Sequence, residues 1–479
     1  MWGMDGSQAT AVTAPSDADV VAALEDSRDR TLALVAPFSD TQLERVYSTL
    51  MSPLVWDLGH IAAFEDLWIV HRYGGRPLLH EELAEVYDAF ETPRAGRGDL
   101  PFLRPREARA YLDEVRDRTR DVIATQGTGD GVIAELIVRH EQQHNETMLQ
   151  TIQLAELDGL RLDRHDGHRP GNGTPRGNPA RHGHQPHHDH QPRYDHQPDH
   201  DDEPRHDHQP RHGHERFTGL ELVEIPGGEC TIGAPAAGFA YDNERPRHRT
   251  DVRAYLMGRT PITNASYLTF VEGGGYERRE WWSDEGWSWK EDYDITRPQS
   301  WTADLRSEWR LSGLEPLHPD RPVVHVSWFE ADAFARAHTG RLPTELEWEK
   351  AATWDQEQQT ALAYPWGDES PVPGLHANLD QRAGGPVPAG SLPGGASPYG
   401  LLGMIGDVWE WTASDFSGYE GFRPFPYPEY SQVFFGAEYK ALRGGSWATR
   451  PRVATATFRN WDLPQRRQIF SGFRIARDI

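Results

Sequence analysis

A chain of 479 residues has the length for two or three domains with full-sized cores. Its formal charge of -25, from 49 basic and 74 acidic residues, argues against a nucleic-acid partner or an anionic membrane surface. Cys230 is the single cysteine, which excludes an intrachain disulfide; with no long apolar run and no basic-then-apolar leader in MWGMDGSQATAVTAPSDAD, the expected setting is the cytoplasm.

The first part reads as helical. Ser16 caps a helix to about Val35, a second is expected over Thr41 to Met51, and Pro53 opens a third to about Arg72. The connection ETPRAGRGDLPFLRP precedes a helix from Pro105 to about Thr125, and a last apolar run spans Val132 to Leu157. Residues 16–162 are therefore expected to form a helical bundle. In the last helix Ile133, Ile137, His140, His144, Met148 and Thr151 fall on one stripe. Two imidazoles one turn apart on a buried face need hydrogen-bond acceptors or a shared cation. The spelling HEQQH also fits the H-E-x-x-H of zinc proteases, in which the Glu is a general base, and two satisfied core histidines are the plainer alternative.

Residues 163–216 carry more than half of the chain's 23 histidines among Pro, Gly, Asp and Arg, with Asp-His-Gln-Pro recurring at Asp189, Asp195 and Asp207. Such a composition cannot build a core and is expected to be a disordered linker. Residues 217–479 are rich in Gly, Pro, Trp and short strand-like runs, with helices expected over Ser327 to His338 and Thr344 to Thr353, so the second folded part is expected to be α+β.

That second part contains DNERPRH (Asp242 to His248), PITNASYLTF (Pro261 to Phe270), RPVVHVSWFEADAFA (Arg321 to Ala335), GRLPTELEWEKAA (Gly340 to Ala352), GDVWEWT (Gly406 to Thr412) and LRGGSW (Leu442 to Trp447). Together these resemble the formylglycine-generating-enzyme or sulfatase-modifying-factor domain, a C-type-lectin-like fold. The cysteines that serve copper-dependent oxidation in formylglycine-generating enzymes have no counterpart near this C-terminus. The first part, with MSPLVWDLGHIAAFEDLW (Met51 to Trp68), resembles the DinB-like four-helix bundle. The two in tandem resemble the sulfoxide synthases of ergothioneine biosynthesis, the hercynine oxygenases.

The resemblance implies an α+β multidomain enzyme in which His60, His140 and His144 hold iron(II), with dioxygen as co-substrate. It implies C–S bond formation between the thiol of γ-glutamylcysteine and the imidazole C2 of hercynine, the trimethylated betaine of histidine, giving the sulfoxide. Glu141 then loses the role of base. Arg94 and Arg97, with Asp462 and Arg466, match residues that bind the thiol substrate; an Asp462–Arg466 ion pair four residues apart is the plainer alternative. Gln143, Asn460 and Trp461 match contacts of hercynine, and Tyr427, with Tyr430 as its neighbour, matches a proton-donating tyrosine. Related synthases use free cysteine, and a binding protein stabilised by structural zinc is the non-enzymatic alternative.

Overall fold

The computed structural model describes residues 16–89, 91–157 and 220–479. The His-rich tract, and the boundaries expected on either side of it, lie outside the described residues.

Five helices make the first part: α1 (Asp17–Val35), α2 (Asp40–Glu44), α3 (Leu54–Glu65), α4 (Pro105–Gln126) and α5 (Val132–Leu157). Ser16 and Asp19 form a reciprocal capping box at α1, the Ser16 hydroxyl accepting from the Asp19 amide and the Asp19 carboxylate accepting from the Ser16 amide, each at 3.2 Å. The helix expected over Thr41 to Met51 stops instead at Glu44. Val46 and Tyr47 are poor helix formers, the Ser48 hydroxyl accepts from the Leu50 amide at 3.2 Å, and Pro53 turns the preceding residue away from helical angles. Beyond α3 the chain continues as a π-helical segment, Asp66–Tyr73, completing the long helix expected to about Arg72. Local π geometry of this kind is often found beside functional sites.

In the second part the strands Leu222–Ile225, Tyr255–Gly258 and Ala476–Asp478 form an antiparallel sheet that joins its beginning to its end. A second sheet has the order Asn460–Asp462, Gly436–Arg443, Trp409–Phe416, Ser471–Gly472, its last pair parallel. The expected helices appear as Trp328–Ala337 and Glu345–Thr353, each capped by the preceding Ser327 or Thr344. Fully buried arginines lock this framework: Arg474 on Glu410 at 2.6 Å, Arg443 on Glu349 at 2.5 Å and Arg459 on Glu345 at 2.7 Å.

Bundle and α+β part belong to one compact unit. A single apolar cluster runs from Val20, Phe64, Trp68 and Ile137 into Tyr241, Trp409 and Phe458. Among the described residues no helix is long and apolar enough to cross a membrane.

Candidate metal centre and cavity

On α3, Trp56, His60 and Phe64 recur every four residues and so share a face. On α5 the same spacing aligns His140 and His144. The two faces meet, and the ligand atoms of His60, His140 and His144 all lie within 4.8 Å of one another. Trp56 stacks on His60 with ring centroids 4.9 Å apart, and Phe64 stacks on His140 at 3.8 Å, each pair within 12° of parallel. His60 is buried; His140 and His144 are half-buried, opening toward a cavity.

Hydrogen bonds on the far side of two rings orient their donors. His60 Nδ1 lies 2.7 Å from the Tyr87 carbonyl oxygen, which can only accept, so Nδ1 carries the proton and Nε2 presents a lone pair. Tyr87 reaches this position because Gly59 has no side chain: a Cβ there would sit 2.1 Å from the Tyr87 ring. His144 Nδ1 lies 3.2 Å from Asp57 Oδ1, leaving its Nε2 for the centre. Burial, reinforced by the neighbouring His144, holds His60 and His140 well below the usual imidazole range, so both are neutral donors.

The Nε2 atoms of His60 and His140 are 3.2 Å apart. With metal–nitrogen bonds of about 2.1 Å, two imidazoles at right angles around a cation place their nitrogens about 3 Å apart. The other Asp57 oxygen, Oδ2, is buried without a hydrogen-bond partner, a negative charge that a nearby cation would balance. The donor set thus fits a divalent transition ion, with three imidazole nitrogens and no carboxylate ligand.

The cavity beside the three histidines has a volume of about 600 Å³ and is walled by both parts of the chain. Of the residues singled out in the sequence, Arg94 and Gln143 line it from the bundle, and Tyr427, Tyr430, Asn460 and Trp461 from the α+β part. Gln143 accepts from the Tyr241 hydroxyl at 3.2 Å. Tyr427 stacks on Trp68 at 5.2 Å, and Tyr430 on Tyr241 at 5.4 Å. Trp461 packs parallel on Phe416 at 4.2 Å.

Arg97, Asp462 and Arg466 are not brought to the cavity wall. Arg97 is buried: its guanidinium lies 3.8 Å over the Trp56 ring and donates to the Thr92 and Ala89 carbonyls and to Ser52 Oγ. Of those anchors only Thr92 lies in the connection that carries Arg97, while Ser52 comes from 45 residues upstream, a closure invisible in the motif alone. Asp462 forms the local ion pair with Arg466 at 3.5 Å and accepts from the Leu463 amide at 2.8 Å. Burial raises its carboxyl, while the charges of Arg466 and Arg94 oppose the rise, so Arg94 shares its electrostatic neighbourhood.

Two acidic residues of α5 have partners that the sequence does not show. Glu141 is buried in a four-charge network, bonded to Arg28 at 2.9 Å and Arg116 at 3.0 Å, with Glu65 bridging the same two arginines. It is neither a helix-surface residue nor available as a base. Glu146, two residues after His144, accepts from Trp409 Nε1 at 2.7 Å, Ser446 Oγ at 2.6 Å and Thr449 Oγ1 at 2.7 Å. Its partners lie in the GDVWEWT and LRGGSW regions, 263 or more residues away, so no local spacing could announce them.

Comparison with known proteins agrees with this division. The family model described as "Sulfatase-modifying factor enzyme 1-like domain" matches residues 209–479, and that of the DinB superfamily matches residues 23–148. The chain is 41% identical to the hercynine oxygenase of Mycolicibacterium thermoresistibile, over 98% of this chain and 97% of the relative. It is 40% identical to that of Mycolicibacterium smegmatis, over 95% and 97%, and 42% identical to that of Mycobacterium tuberculosis, over 95% and 98%.

Proposed function

The chain belongs to the hercynine oxygenase family, and from that premise we propose that it joins the sulfur of γ-glutamylcysteine to the imidazole C2 of hercynine in an iron(II)- and dioxygen-dependent reaction. One C–H and one S–H bond break and a C–S bond forms. Dioxygen takes up four electrons, one of its atoms ending as the sulfoxide oxygen and the other as water.

The observation that carries this reading is the triad of imidazoles, His60, His140 and His144, on the wall of a cavity that Tyr427, Asn460 and Trp461 also line. Iron(II) held by the triad would supply the one-electron chemistry that dioxygen requires and zinc lacks, and a positive charge that favours the thiolate. Closing both substrates into one cavity removes most of their encounter entropy. Gln143 is oriented by Tyr241, leaving its amide N–H groups to donate to hercynine. Asn460 hydrogen-bonds the same substrate, and Trp461 faces its trimethylammonium group in a cation–π contact. Tyr427 supplies the proton: its ring is held by the stack on Trp68, and a phenol can donate where a phenylalanine cannot.

Arg94 provides the guanidinium for a substrate carboxylate. Arg97, Asp462 and Arg466 complete the thiol site in this proposal only if Asp462 and Arg466 exchange their mutual pair for substrate, and Arg97 acts through the loop it braces. That dependence favours one second reading, a synthase that takes free cysteine, which needs fewer carboxylate partners.

Turnover of iron(II)-loaded protein with hercynine and each thiol, read by product mass and oxygen uptake, tests the proposal. The γ-glutamylcysteine adduct carrying one added oxygen is the expected product. Preferential formation of the cysteine adduct would establish the second reading, and no oxygen uptake with either thiol would refute both.

A further inference from the structure

An imidazole binds a cation through a ring lone pair as a neutral ligand, so a divalent ion held by three of them brings in two positive charges with no ligand to offset them. Asp57 is the buried carboxylate nearest in bonding sequence: its Oδ1 is 3.2 Å from His144 Nδ1, and the residue is 1% exposed. It lies three residues before His60 on α3, so one turn of one helix supplies a ligand and the hydrogen-bond partner of another. Its Oδ2 has no hydrogen-bond partner among the described residues, which is costly for a buried carboxylate unless positive charge lies close by. Arg97, stacked on Trp56 at 3.8 Å, is near enough to interact with Asp57 through its charge, but it makes no hydrogen bond to it.

We propose that Asp57 is a positioning residue of the metal centre, holding His144 with Nδ1 protonated and Nε2 toward the ion, and supplying the negative charge that the three-histidine set lacks. The inference rests on the metal-site reading above and adds to it a residue that touches neither metal nor substrate. A carboxylate in this position fixes the imidazole tautomer, orients the ring and strengthens it as a donor. The centre then behaves as three histidines and one remote carboxylate.

The test uses the full chain freed of metal and titrated anaerobically with iron(II). Asp57→Asn preserves shape and an accepting oxygen but removes the charge; it should weaken iron(II) binding by about 10- to 100-fold, leave the melting temperature of the metal-free protein unchanged, and raise the iron(III)/iron(II) midpoint potential. Binding within about twofold of the parent, or an unchanged potential, would overturn the proposal. Independently of any variant, the cobalt(II)-loaded parent should show two strongly shifted, slowly exchanging N–H proton resonances, from His60 and His144. A His144 proton that exchanges freely would also overturn it. A parent chain that binds neither metal would refute the three-histidine reading itself, whereas parent binding with an unaffected Asp57→Asn would refute only the role of Asp57.

Discussion

Gly59 is the residue at which a single added methyl most directly threatens the centre. Tyr87 is 2% exposed and its hydroxyl accepts from the Leu103 amide at 2.9 Å, so the ring cannot simply swing aside from a Cβ that would lie 2.1 Å away. Gly59→Ala is therefore expected to cost roughly 1–3 kcal/mol, as overpacked sites do. It should also weaken iron(II) binding, because the displaced Tyr87 carbonyl holds His60; paired thermal melts and metal titrations check both. A second expectation separates the two tyrosines. If Tyr427 donates the proton, Tyr427→Phe should lower kcat for sulfoxide formation by about 10²- to 10⁴-fold, with thiol oxidation persisting, while Tyr430→Phe, whose ring is stacked on Tyr241, changes kcat far less; product ratios by mass spectrometry report it. At this scale the sequence exposed side chains whose spacing is local. His140 and His144 announce themselves by one helical turn, whereas His60 required the resemblance, and the Tyr87 carbonyl carries no side-chain signal at all.

The helices are held in register by charge as well as by apolar packing. Arg28 of α1, Glu65 of α3, Arg116 of α4 and Glu141 of α5 meet in the bundle interior, where Thr31 also donates to Glu141 at 2.7 Å. Capping residues and periodicity predicted α1, α4 and α5 almost to their ends, and α3 together with the π-helical segment that follows it, but they say nothing of which polar residues on those helices meet. The miss at α2 has the opposite origin, since side-chain competition and Pro53 overrode a weak helical pattern. Burial alone would raise the Glu65 carboxyl, yet Arg116 and Arg28 overcome it and hold the group at about 2 against its usual 4.5. Such a depressed group gives its full stabilisation above pH 4.5 and loses it as the pH falls toward about 2. Glu65→Gln should accordingly lower the melting temperature most at neutral pH, by an amount equivalent to a few kcal/mol. The gap between parent and variant should close progressively across that acid window, which thermal melts at a series of pH values would follow. A gap independent of pH would show that the loss is one of packing rather than of charge.

Across the whole molecule, the cavity exists because two parts separated in sequence share a wall, and Glu146 is the point where α5 is fastened to the sheet framework. Its carboxylate receives the Trp409 indole and the Ser446 and Thr449 hydroxyls, and the same α+β part carries Asn460 and Tyr427. Arg452 adds a second link, donating to Glu135 at 3.0 Å, and Gln153 a third, donating to the Trp309 carbonyl at 3.0 Å. Neither composition nor motif spacing revealed these joins, because each half was recognisable without the other. Glu146→Ala leaves a buried indole N–H and two hydroxyls without their acceptor, a loss of about 2–4 kcal/mol from a unit that has other links to hold it together. Those links, and the ligands on α3 and α5, keep the three histidines close to one another. The variant should therefore bind iron(II) nearly as tightly as the parent while kcat for sulfoxide formation falls, because Tyr427 and Asn460 no longer keep a fixed distance from the centre. Glu146→Gln, which retains an accepting oxygen, should recover most of that loss. A parallel fall in iron(II) affinity and kcat in Glu146→Ala would instead mean that the fastening shapes the metal centre itself, and not the alignment of the α+β wall.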